Sequence, residues 1–280
     1  MEGEVGEYRG RFAPTPSGPL HFGSLVAAVG SYLEAKSRGG QWLLRMEDLD
    51  TPRMVPGAAG DILQTLESFG FKWDGDVVWQ SARTLAYRDA FDRLVQAGQV
   101  YACACSRTVQ EGSNCARNCA EANVSADRIR SWRVRGGKEA ILWNDRLRGP
   151  QRDPPSGDFV VLRVDGVFAY QLAVAVDDAE QGVTDVVRGA DLLDSTSRQI
   201  RLQRLLGLHE PGYLHLPIAR DAGGEKLSKQ TRAPAIRSGD AGQLAAALRF
   251  LGQALPAEAL SVEELWLWAL VAWKPLSIPL

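Results

Sequence analysis

The chain has 280 residues, a formal net charge of −2 and a hydrophobic fraction of 45%. This length allows one large domain or two modest ones, and the composition is typical of a globular protein. We find no stretch that could span a membrane and no signal peptide in the acidic first residues, so we expect a cytoplasmic protein. The negative net charge excludes a general electrostatic attraction to nucleic acids.

The first pattern is a short apolar strand over residues 8–14, a turn rich in proline and glycine, and a helix over 22–37. A small residue where a helix begins lets a ligand approach the backbone N–H groups, and the helix dipole favours phosphate there. Taken alone, this segment is more typical of an ordinary strand-to-helix turn. The apolar residues at helical spacing are Leu25, Ala28, Val29 and Tyr32.

A second strand is predicted over residues 41–46. Strand, helix and strand in this order predict a parallel sheet with a right-handed crossover. Because ligands of open α/β sheets bind at the carboxyl ends of strands, we expect the following acids to face the same crevice as residues 14–21. We assign Glu47 to the site, whereas Asp48 and Asp50 suit either the site or a capping or solvated position.

Two later strands end in residues that suit a site. The nearly continuous apolar run 168–178 is predicted as a buried strand that ends in Asp177 and Asp178, and the strand that begins at Val183 ends at Arg188. Further strands are predicted over 77–79, 158–164 and 213–218, and further helices over 56–70, 84–100, 195–206, 241–251 and 263–273.

The four cysteines of the chain lie close together in sequence. In a reducing cytosol, thiolates this close converge on one metal ion more readily than they form two short disulfides. We predict one structural zinc ion, because four protein ligands leave no open position for a catalytic water. Four unligated cysteines are the alternative. The proposed ligands are Cys103, Cys105, Cys115 and Cys119.

Residues 128–152 are locally basic, with Trp132 and Trp143 among the charges. Such a stretch suits a phosphate backbone and stacked bases, although a solvated surface explains any single residue equally well. The basic residues are Arg128, Arg130, Arg133, Arg135, Lys138, Arg146, Arg148 and Arg152.

Two short motifs give the chain a family resemblance. His21–Ser24 resembles the "HIGH" motif of class I aminoacyl-tRNA synthetases, and Lys226–Gln230 resembles their "KMSKS" motif. Either motif alone is weak, but both in this order, about 200 residues apart, are specific. Ser24, Leu227 and Gln230 depart from the motifs without removing the histidine or the lysines.

Four more segments resemble the catalytic domain of glutamyl-tRNA synthetases and extend the likeness along most of the chain. Those synthetases continue into a domain that reads the anticodon, whereas this sequence ends some fifty residues after Lys229. A short, zinc-bearing synthetase of this kind resembles the glutamyl-Q tRNA(Asp) synthetases, the paralogues that glutamylate queuosine. The four segments are Arg11–Gly18, Arg45–Asp50, Phe168–Ala173 and Val187–Leu193.

The resemblance implies an α/β fold: a Rossmann-type parallel-sheet catalytic domain with a zinc-bearing insertion and a small helical C-terminal subdomain. We expect no anticodon-binding domain and a monomer. The expected ranges are 1–98 for the first half of the catalytic domain, 99–157 for the insertion, 158–222 for the second half, and 223–280 for the KMSKS loop and helical subdomain.

The resemblance also implies an activity and its residues. ATP, brought with Mg²⁺, would activate L-glutamate as glutamyl-adenylate without tRNA, and the glutamyl group would pass to queuosine in the anticodon stem-loop of tRNA(Asp). The alternatives are a conventional glutamyl-tRNA synthetase that charges the tRNA 3′ end, and a non-catalytic RNA-binding paralogue. His21 and Lys229 would be catalytic; Arg11, Phe12, Ala13, Pro14, Thr15, Glu47, Tyr170 and Arg188 would bind glutamate; His21, Gly23, Lys226 and Lys229 would bind ATP.

Overall fold

The computed structural model describes residues 7–105, 119–122, 124–220, 223–224 and 234–280. The helices within these ranges are α1 (Phe22–Lys36), α2 (Ala58–Ser68), α3 (Thr84–Gln96), α4 (Tyr170–Glu180), α5 (Leu193–Leu206), α6 (Ala241–Phe250) and α7 (Val262–Ala272). The strands are β1 (Arg9–Phe12), β2 (Gln41–Met46), β3 (Val78–Trp79), β4 (Val100–Cys103), β5 (Ser131–Val134), β6 (Ile141–Asp145), β7 (Gly149–Asp153), β8 (Phe159–Arg163), β9 (Asp185–Gly189) and β10 (Gly212–Leu216).

A parallel sheet in two halves forms the centre of the molecule. One half has the order β1-β2-β3, and the other has the order β7-β6-β10-β9, in which only β7 is antiparallel. The halves meet at β1 and β9, because the Thr184 N–H donates to the Arg9 carbonyl oxygen over 2.9 Å. This arrangement confirms the predicted α/β fold with a parallel sheet.

Helix α1 makes the crossover between β1 and β2 and packs across both halves of the sheet. Gly30 faces β10 so closely that a Cβ there would lie 2.6 Å from a methyl group of Leu216. Glycine at this position therefore lets the helix that follows the first strand lie close to the second half of the sheet. Buried residues of α1, β2 and β10 belong to the same apolar core.

A separate antiparallel sheet of order β4-β5-β8 carries the cysteine-rich part of the chain. β8 pairs with β5 although it follows residue 157, and the β6–β7 hairpin lies within 99–157 although β6 pairs with β10 of the parallel sheet. The two parts of the chain are thus interleaved in space. The four domain ranges stay a prediction.

The run 168–178 is a helix, so the prediction of a buried strand there was wrong. Residues Leu172–Asp178 of α4 are all buried, and a helix that is buried all round has no polar face to reveal its period. Val174 and Val176 favoured the strand assignment because β-branched residues are common in strands. Asp177 and Asp178 consequently lie on a buried helix and not at the end of a strand.

The helices α6 and α7 close the described part of the chain and pack against α1. Helix α7 begins with a capping box in which the Ser261 side chain and Glu264 satisfy each other's backbone N–H groups. Of the helices in the described ranges, none combines the length and the apolarity that crossing a lipid bilayer would need.

Candidate active site

A cavity of about 560 Å³ opens where β1, β2, β9 and β10 end, at the meeting of the two half-sheets. Open α/β sheets bind ligands at this point. Ten of the residues predicted to be catalytic or to bind glutamate or ATP are within the described ranges, and all ten line this cavity: Arg11, Phe12, Ala13, Pro14, Thr15, His21, Gly23, Glu47, Tyr170 and Arg188. Lys226 and Lys229 lie outside the described residues.

The turn between β1 and α1 brings the first turn of the helix to the cavity. Gly18 has a φ of 135°, a conformation that side-chain-bearing residues rarely adopt, and it lies between two prolines that prevent regular structure. Gly23 and Ser24, in the first turn of α1, line the cavity. Backbone N–H groups in a first turn lack intrahelical partners, so this end of the cavity suits an anion.

Arg188 is near the end of β9 and lines the cavity, and its guanidinium donates hydrogen bonds to uncharged acceptors. Its Nε donates to His215 Nε2 over 3.1 Å, and its Nη1 donates to Gln199 Oε1 over 2.7 Å. Its Nη2 donates to Thr196 Oγ1 over 2.9 Å and to the Leu192 carbonyl oxygen over 3.4 Å. Among the described residues, no carboxylate lies within ion-pair distance of this guanidinium.

Arg11 is held in the opposite way, by a carboxylate. Its Nε donates to Asp178 Oδ1 over 3.1 Å, and both side chains are 4% exposed. The same Asp178 oxygen accepts a bond from Arg45 Nη2 over 2.8 Å. Burial opposes ionisation of Asp178, but Arg11 and Arg45 outweigh it and lower the pKa of this carboxyl group. Asp178 therefore neutralises Arg11 from outside the cavity lining.

Glu47 supplies a carboxyl group next to these arginines. It follows β2, where its backbone N–H donates to the Pro14 carbonyl oxygen over 3.0 Å. Burial raises the pKa of Glu47 to about 7, although Arg45 and Arg11 oppose the rise. Tyr170, the first residue of α4, is close enough that burial and the Glu47 charge both raise the pKa of its phenol. The site thus holds a proton-sensitive carboxyl group beside a neutral phenol.

The other acids after β2 turn away from the cavity. Asp48 accepts bonds from the Ser81 N–H over 2.8 Å and the Ser81 hydroxyl over 2.7 Å. Asp50 accepts a bond from Arg163 over 2.9 Å. The alternatives for these two acids were the site or a capping or solvated position, and neither lines the cavity: Asp48 caps the backbone at Ser81, and Asp50 forms an ion pair that was not predicted. Of the three acids after β2, Glu47 alone lines it.

The chain on both sides of the KMSKS-like segment lies at the cavity. Ala219, just after β10, belongs to the lining, and Ala235 pairs with His21 in an isolated bridge. Ile236 then donates its N–H to the Leu20 carbonyl oxygen over 3.0 Å. The described residues that flank the KMSKS-like segment in sequence are therefore at the cavity or next to one of its lining residues.

Three cysteines form a group that could hold a metal ion. The sulfur atoms of Cys103, Cys105 and Cys119 all lie within 4.8 Å of one another, and all three residues are buried. The Cys105 and Cys119 sulfurs are 3.9 Å apart, close to the roughly 3.8 Å that two ligands at a tetrahedral zinc ion would span. Cys115 lies outside the described residues.

The basic residues of 128–152 do not share one surface. Arg133 is buried and donates to the Asp158 carbonyl oxygen over 2.8 Å, and Arg146 is paired with the buried Glu34 over 2.6 Å. Exposed residues remain at Arg128, Arg130, Arg135, Lys138 and Arg152. Part of this charge is therefore structural.

Comparisons with known proteins agree with this site. The family model described as "tRNA synthetases class I (E and Q), catalytic domain" matches residues 7–244. The chain is 54% identical to the glutamyl-Q tRNA(Asp) synthetase of Chromobacterium violaceum, with 98% of each covered. It is 56% identical to that of Aromatoleum aromaticum, with 97% of this chain and 90% of the relative covered. The chain belongs to the glutamyl-Q tRNA(Asp) synthetase family. It is therefore an enzyme of the ligase class.

Solved structures show the same fold as this member of the glutamyl-Q tRNA(Asp) synthetase family. A glutamate tRNA ligase from Elizabethkingia meningosepticum, crystallised with its amino acid, superimposes with a TM-score of 0.80 at 23% identity. A glutamate-tRNA synthetase from Elizabethkingia anophelis gives 0.79 at 23% identity. In both cases the match covers 97% of this chain and spans 66%, just under two thirds, of the other chain.

The sequence alone did not indicate the roles of several residues that line this cavity or support its arginines. Asp178 is predicted at the end of a buried strand that faces the site, whereas it lies on the buried helix α4 and contacts Arg11. No motif marks His215, Gln199 or Thr196. Their roles depend on contacts between distant parts of the chain. For other lining residues the sequence did contain an indication, because Ser24 and Asp191 are inside segments that resemble the synthetase family. The lining residues outside the prediction are Ser17, Leu20, Ser24, Ala27, Arg53, Val187, Gly189, Asp191, Leu192, Pro217, Ile218 and Ala219.

The Asp178 network gives a stability prediction. Asp178→Asn leaves two buried guanidinium groups without their shared carboxylate, so we expect a loss of about 3–5 kcal/mol in the free energy of unfolding. Glu180→Gln is the matched control, since Glu180 is on the same helix and pairs with Arg83 but is 51% exposed. We expect the control to lose less than about 1 kcal/mol. Urea denaturation measures the free energy of unfolding of both variants. Equal losses would contradict the role of Asp178 as the buried carboxylate that Arg11 and Arg45 share.

Proposed function

We propose that this enzyme activates L-glutamate with ATP, without tRNA, and transfers the glutamyl group to queuosine at the wobble position of tRNA(Asp). One observation carries the first half of this proposal. A single cavity contains a guanidinium that has no carboxylate partner among the described residues, a buried carboxyl group and a helix N-terminus. These groups complement the side-chain carboxylate, the α-ammonium and a phosphate, respectively. The names of the full-length relatives support the second half.

Glutamate would be held by its three charged groups. The γ-carboxylate suits Arg188, whose guanidinium donates, within the described part of the chain, to uncharged acceptors alone. Glu47 in its ionised form suits the α-ammonium, and the phenol of Tyr170 is placed to close the pocket over the ligand. Arg11 also lines the cavity, but its ion pair with Asp178 weakens the attraction that it would exert on a ligand carboxylate. The uncharged segment Phe12–Thr15 would pack against the amino acid.

The first chemical step would then need positioning more than a protein nucleophile. An α-carboxylate oxygen of glutamate attacks the α-phosphorus of ATP, and the bond to the bridging oxygen breaks, so that pyrophosphate leaves. His21 and the N–H group of Gly23 would bind phosphate oxygens. Lys226 and Lys229 would stabilise the charge that builds on the departing pyrophosphate. Mg²⁺ would accompany ATP as its counter-ion.

The second step is a transfer to a hydroxyl group. A queuosine hydroxyl oxygen attacks the carbonyl carbon of glutamyl-adenylate, the bond to the phosphate oxygen breaks, AMP leaves, and the hydroxyl proton passes to solvent. A wobble nucleotide in an anticodon loop is unpaired and can be presented directly to a cavity. Exposed cations such as Arg128 and Arg130 are candidates for contacts with the stem-loop phosphates. Because ATP and tRNA are cytoplasmic, the proposal places the enzyme in the cytoplasm.

Two alternatives remain to be separated by experiment. A conventional glutamyl-tRNA synthetase would charge the 3′ end of tRNA(Glu), and it shares the fold. A non-catalytic RNA-binding paralogue would have no use for a cavity that combines Arg188, Glu47 and the first turn of α1.

The cysteine group would hold one zinc ion with a structural role. Three buried thiols at mutual distances that suit one tetrahedral ion support this proposal. Cys115 would be the fourth ligand, which would leave no open position for a substrate or a water. The ion would tie the end of β4 to the chain beyond residue 118 and so stabilise the antiparallel sheet.

The main test combines two assays. We expect glutamate-dependent ATP–pyrophosphate exchange without RNA, and transfer of labelled glutamate to tRNA(Asp) that contains queuosine. Arg188→Ala should weaken glutamate activation by about 1.5–3 kcal/mol, the range for a hydrogen bond to a charged group. A variant at the exposed Arg152 should keep normal exchange.

The controls separate the candidate functions. Transfer should disappear with queuosine-free tRNA(Asp), while exchange should continue. Efficient charging of tRNA(Glu) would favour the conventional synthetase. Absence of exchange with any amino acid would favour the non-catalytic paralogue. Unchanged exchange in Arg188→Ala would remove this residue from the glutamate pocket.

The raised pKa of Glu47 predicts a pH dependence. Below about pH 7 the carboxyl group is neutral and cannot pair with the α-ammonium. The KM for glutamate should therefore fall up to about tenfold between roughly pH 6 and pH 8, in proportion to the ionised fraction. Glu47→Gln should have a high KM that hardly changes over this interval. Pyrophosphate-exchange kinetics at several pH values measure the KM for glutamate. A wild-type KM that does not change with pH would argue against pairing of Glu47 with the α-ammonium.

The zinc site predicts a metal content. Protein purified without added zinc should contain about one equivalent of zinc, because three or four thiolates hold it tightly. Cys119→Ser should lose the metal and lower transfer to RNA more than glutamate activation, since Cys103 ends β4 of the antiparallel sheet and none of the three cysteines lines the cavity. Metal analysis and the two assays measure this. A disulfide in the reduced protein would contradict it.

A further inference from the structure

A buried row of polar side chains lies behind Arg188. Asp145 ends β6, His215 lies in β10 and Arg188 lies in β9, and these three strands are neighbours in the order β6-β10-β9. Asp145 and His215 are both 0% exposed, and Arg188 is 5% exposed. Neither Asp145 nor His215 belongs to the cavity lining. Their chemistry reaches the cavity only through Arg188.

Asp145 is fixed as a carboxylate by four hydrogen bonds. Its Oδ2 accepts from the His215 ring Nδ1 over 2.7 Å and from the His215 backbone N–H over 3.0 Å. Its Oδ1 accepts from the backbone N–H groups of Leu147 and Arg148, each over 2.9 Å. Although burial opposes ionisation, these bonds lower the pKa of Asp145 below its usual value. The carboxylate therefore requires a proton on His215 Nδ1.

The other side of the imidazole faces only donors or hydroxyl groups. Arg188 Nε lies 3.1 Å from His215 Nε2, and a guanidinium can only donate. Thr196 Oγ1 lies 3.2 Å from the same nitrogen and can donate its hydroxyl proton. Nε2 must consequently accept, which makes His215 neutral with its proton on Nδ1. Burial and the Arg188 charge lower the pKa of His215, in agreement with this tautomer.

The neutral imidazole keeps the Asp145 charge away from Arg188. A guanidinium has five N–H donors, and the acceptors of Arg188 take four of them: His215 Nε2, Gln199 Oε1, Thr196 Oγ1 and the Leu192 carbonyl oxygen. One N–H on Nη1 remains. All four acceptors are uncharged, so the plane of the guanidinium is fixed while no described carboxylate pairs with its positive charge. Arg11, in direct contact with Asp178, shows the opposite arrangement within the same cavity.

We propose that His215, oriented by Asp145, is a positioning residue that holds Arg188 ready for the side-chain carboxylate of glutamate and so favours glutamate over glutamine. This inference rests on the proposed function and deepens it. A fixed, unbalanced cation gains more from a carboxylate than from a neutral amide, whose NH₂ group would also face the guanidinium donors. If Asp145 contacted Arg188 directly, the charge would be neutralised and this preference would weaken.

Two amide substitutions at His215 separate the two sides of the ring. The carbonyl oxygen of glutamine in His215→Gln can occupy the place of Nε2 and accept from Arg188. The shorter asparagine in His215→Asn reaches only the place of Nδ1 and contacts Asp145. We expect His215→Asn to raise the KM for glutamate about ten- to a hundredfold with little change in kcat, the loss typical of a hydrogen bond to a charged group. We expect His215→Gln to stay within about threefold of wild type.

Selectivity is the readout that a purely structural role would not change. Pyrophosphate exchange with glutamine in place of glutamate gives the ratio of the two kcat/KM values. This ratio should fall about tenfold or more in His215→Asn and be retained in His215→Gln, whereas the KM for ATP should change in neither. Equal effects of the two substitutions, or a loss confined to kcat, would overturn the proposal.

The tautomer is tested on the wild-type protein, even where a variant fails to fold. The chain has three histidines, so the imidazole ¹⁵N signals are few and can be assigned by comparison with His215→Gln or with His21 and His209 variants. We expect His215 Nε2 to show the shift of an unprotonated ring nitrogen near pH 7. A protonated Nε2 would overturn the inference, whether or not the enzyme activates glutamate. Absence of glutamate-dependent exchange in the wild type would instead reject the proposed function.

Discussion

A buried guanidinium must be held by acceptors, and the charge of those acceptors decides what it can still bind. Arg11 and Arg188 line the same cavity and are almost equally buried. Asp178 balances the first, whereas a histidine, two polar side chains and a backbone carbonyl hold the second. Since an unbalanced charge in a low-dielectric site attracts a counter-ion strongly, a carboxylate ligand would be drawn to Arg188 more strongly than to Arg11.

The sheet arrangement explains why these groups meet. β1 and β9 are neighbours although they are far apart in sequence, and both run in the same direction, so their carboxyl ends share one edge. Helix α1 begins at that edge and its first turn lines the cavity, which adds an attraction for an anion in the same cavity as Arg188. An amino acid and a nucleotide can thus lie next to each other without any loop having to bring them together.

The sequence predicted the cavity well because its lining follows strand ends and two motifs. Glu47 and Arg188 come directly after or at the end of predicted strands, and topology then places them together. The sequence could not predict α4, since a helix buried on all sides has no amphipathic period. It placed Asp178 at the end of a strand instead of on a helix and did not indicate His215, because the partners of these residues, Arg11 and Arg188, are chosen by packing between distant segments. Residue identity alone cannot distinguish a balanced arginine from an unbalanced one.

The number of charges buried behind the cavity argues for a functional and not a stabilising role. Asp177 accepts bonds from Gln80, Arg83 and Tyr87, so a second carboxylate on α4 is as fully engaged as Asp178. Replacing such networks by apolar residues often leaves stability unchanged or improves it, because desolvating each ion costs several kcal/mol. What apolar residues cannot do is fix the orientation of a cation. In this fold, residues of α4 and β10 fix the orientation of Arg11 and Arg188 at the cavity, and the proposed recognition of glutamate depends on that support.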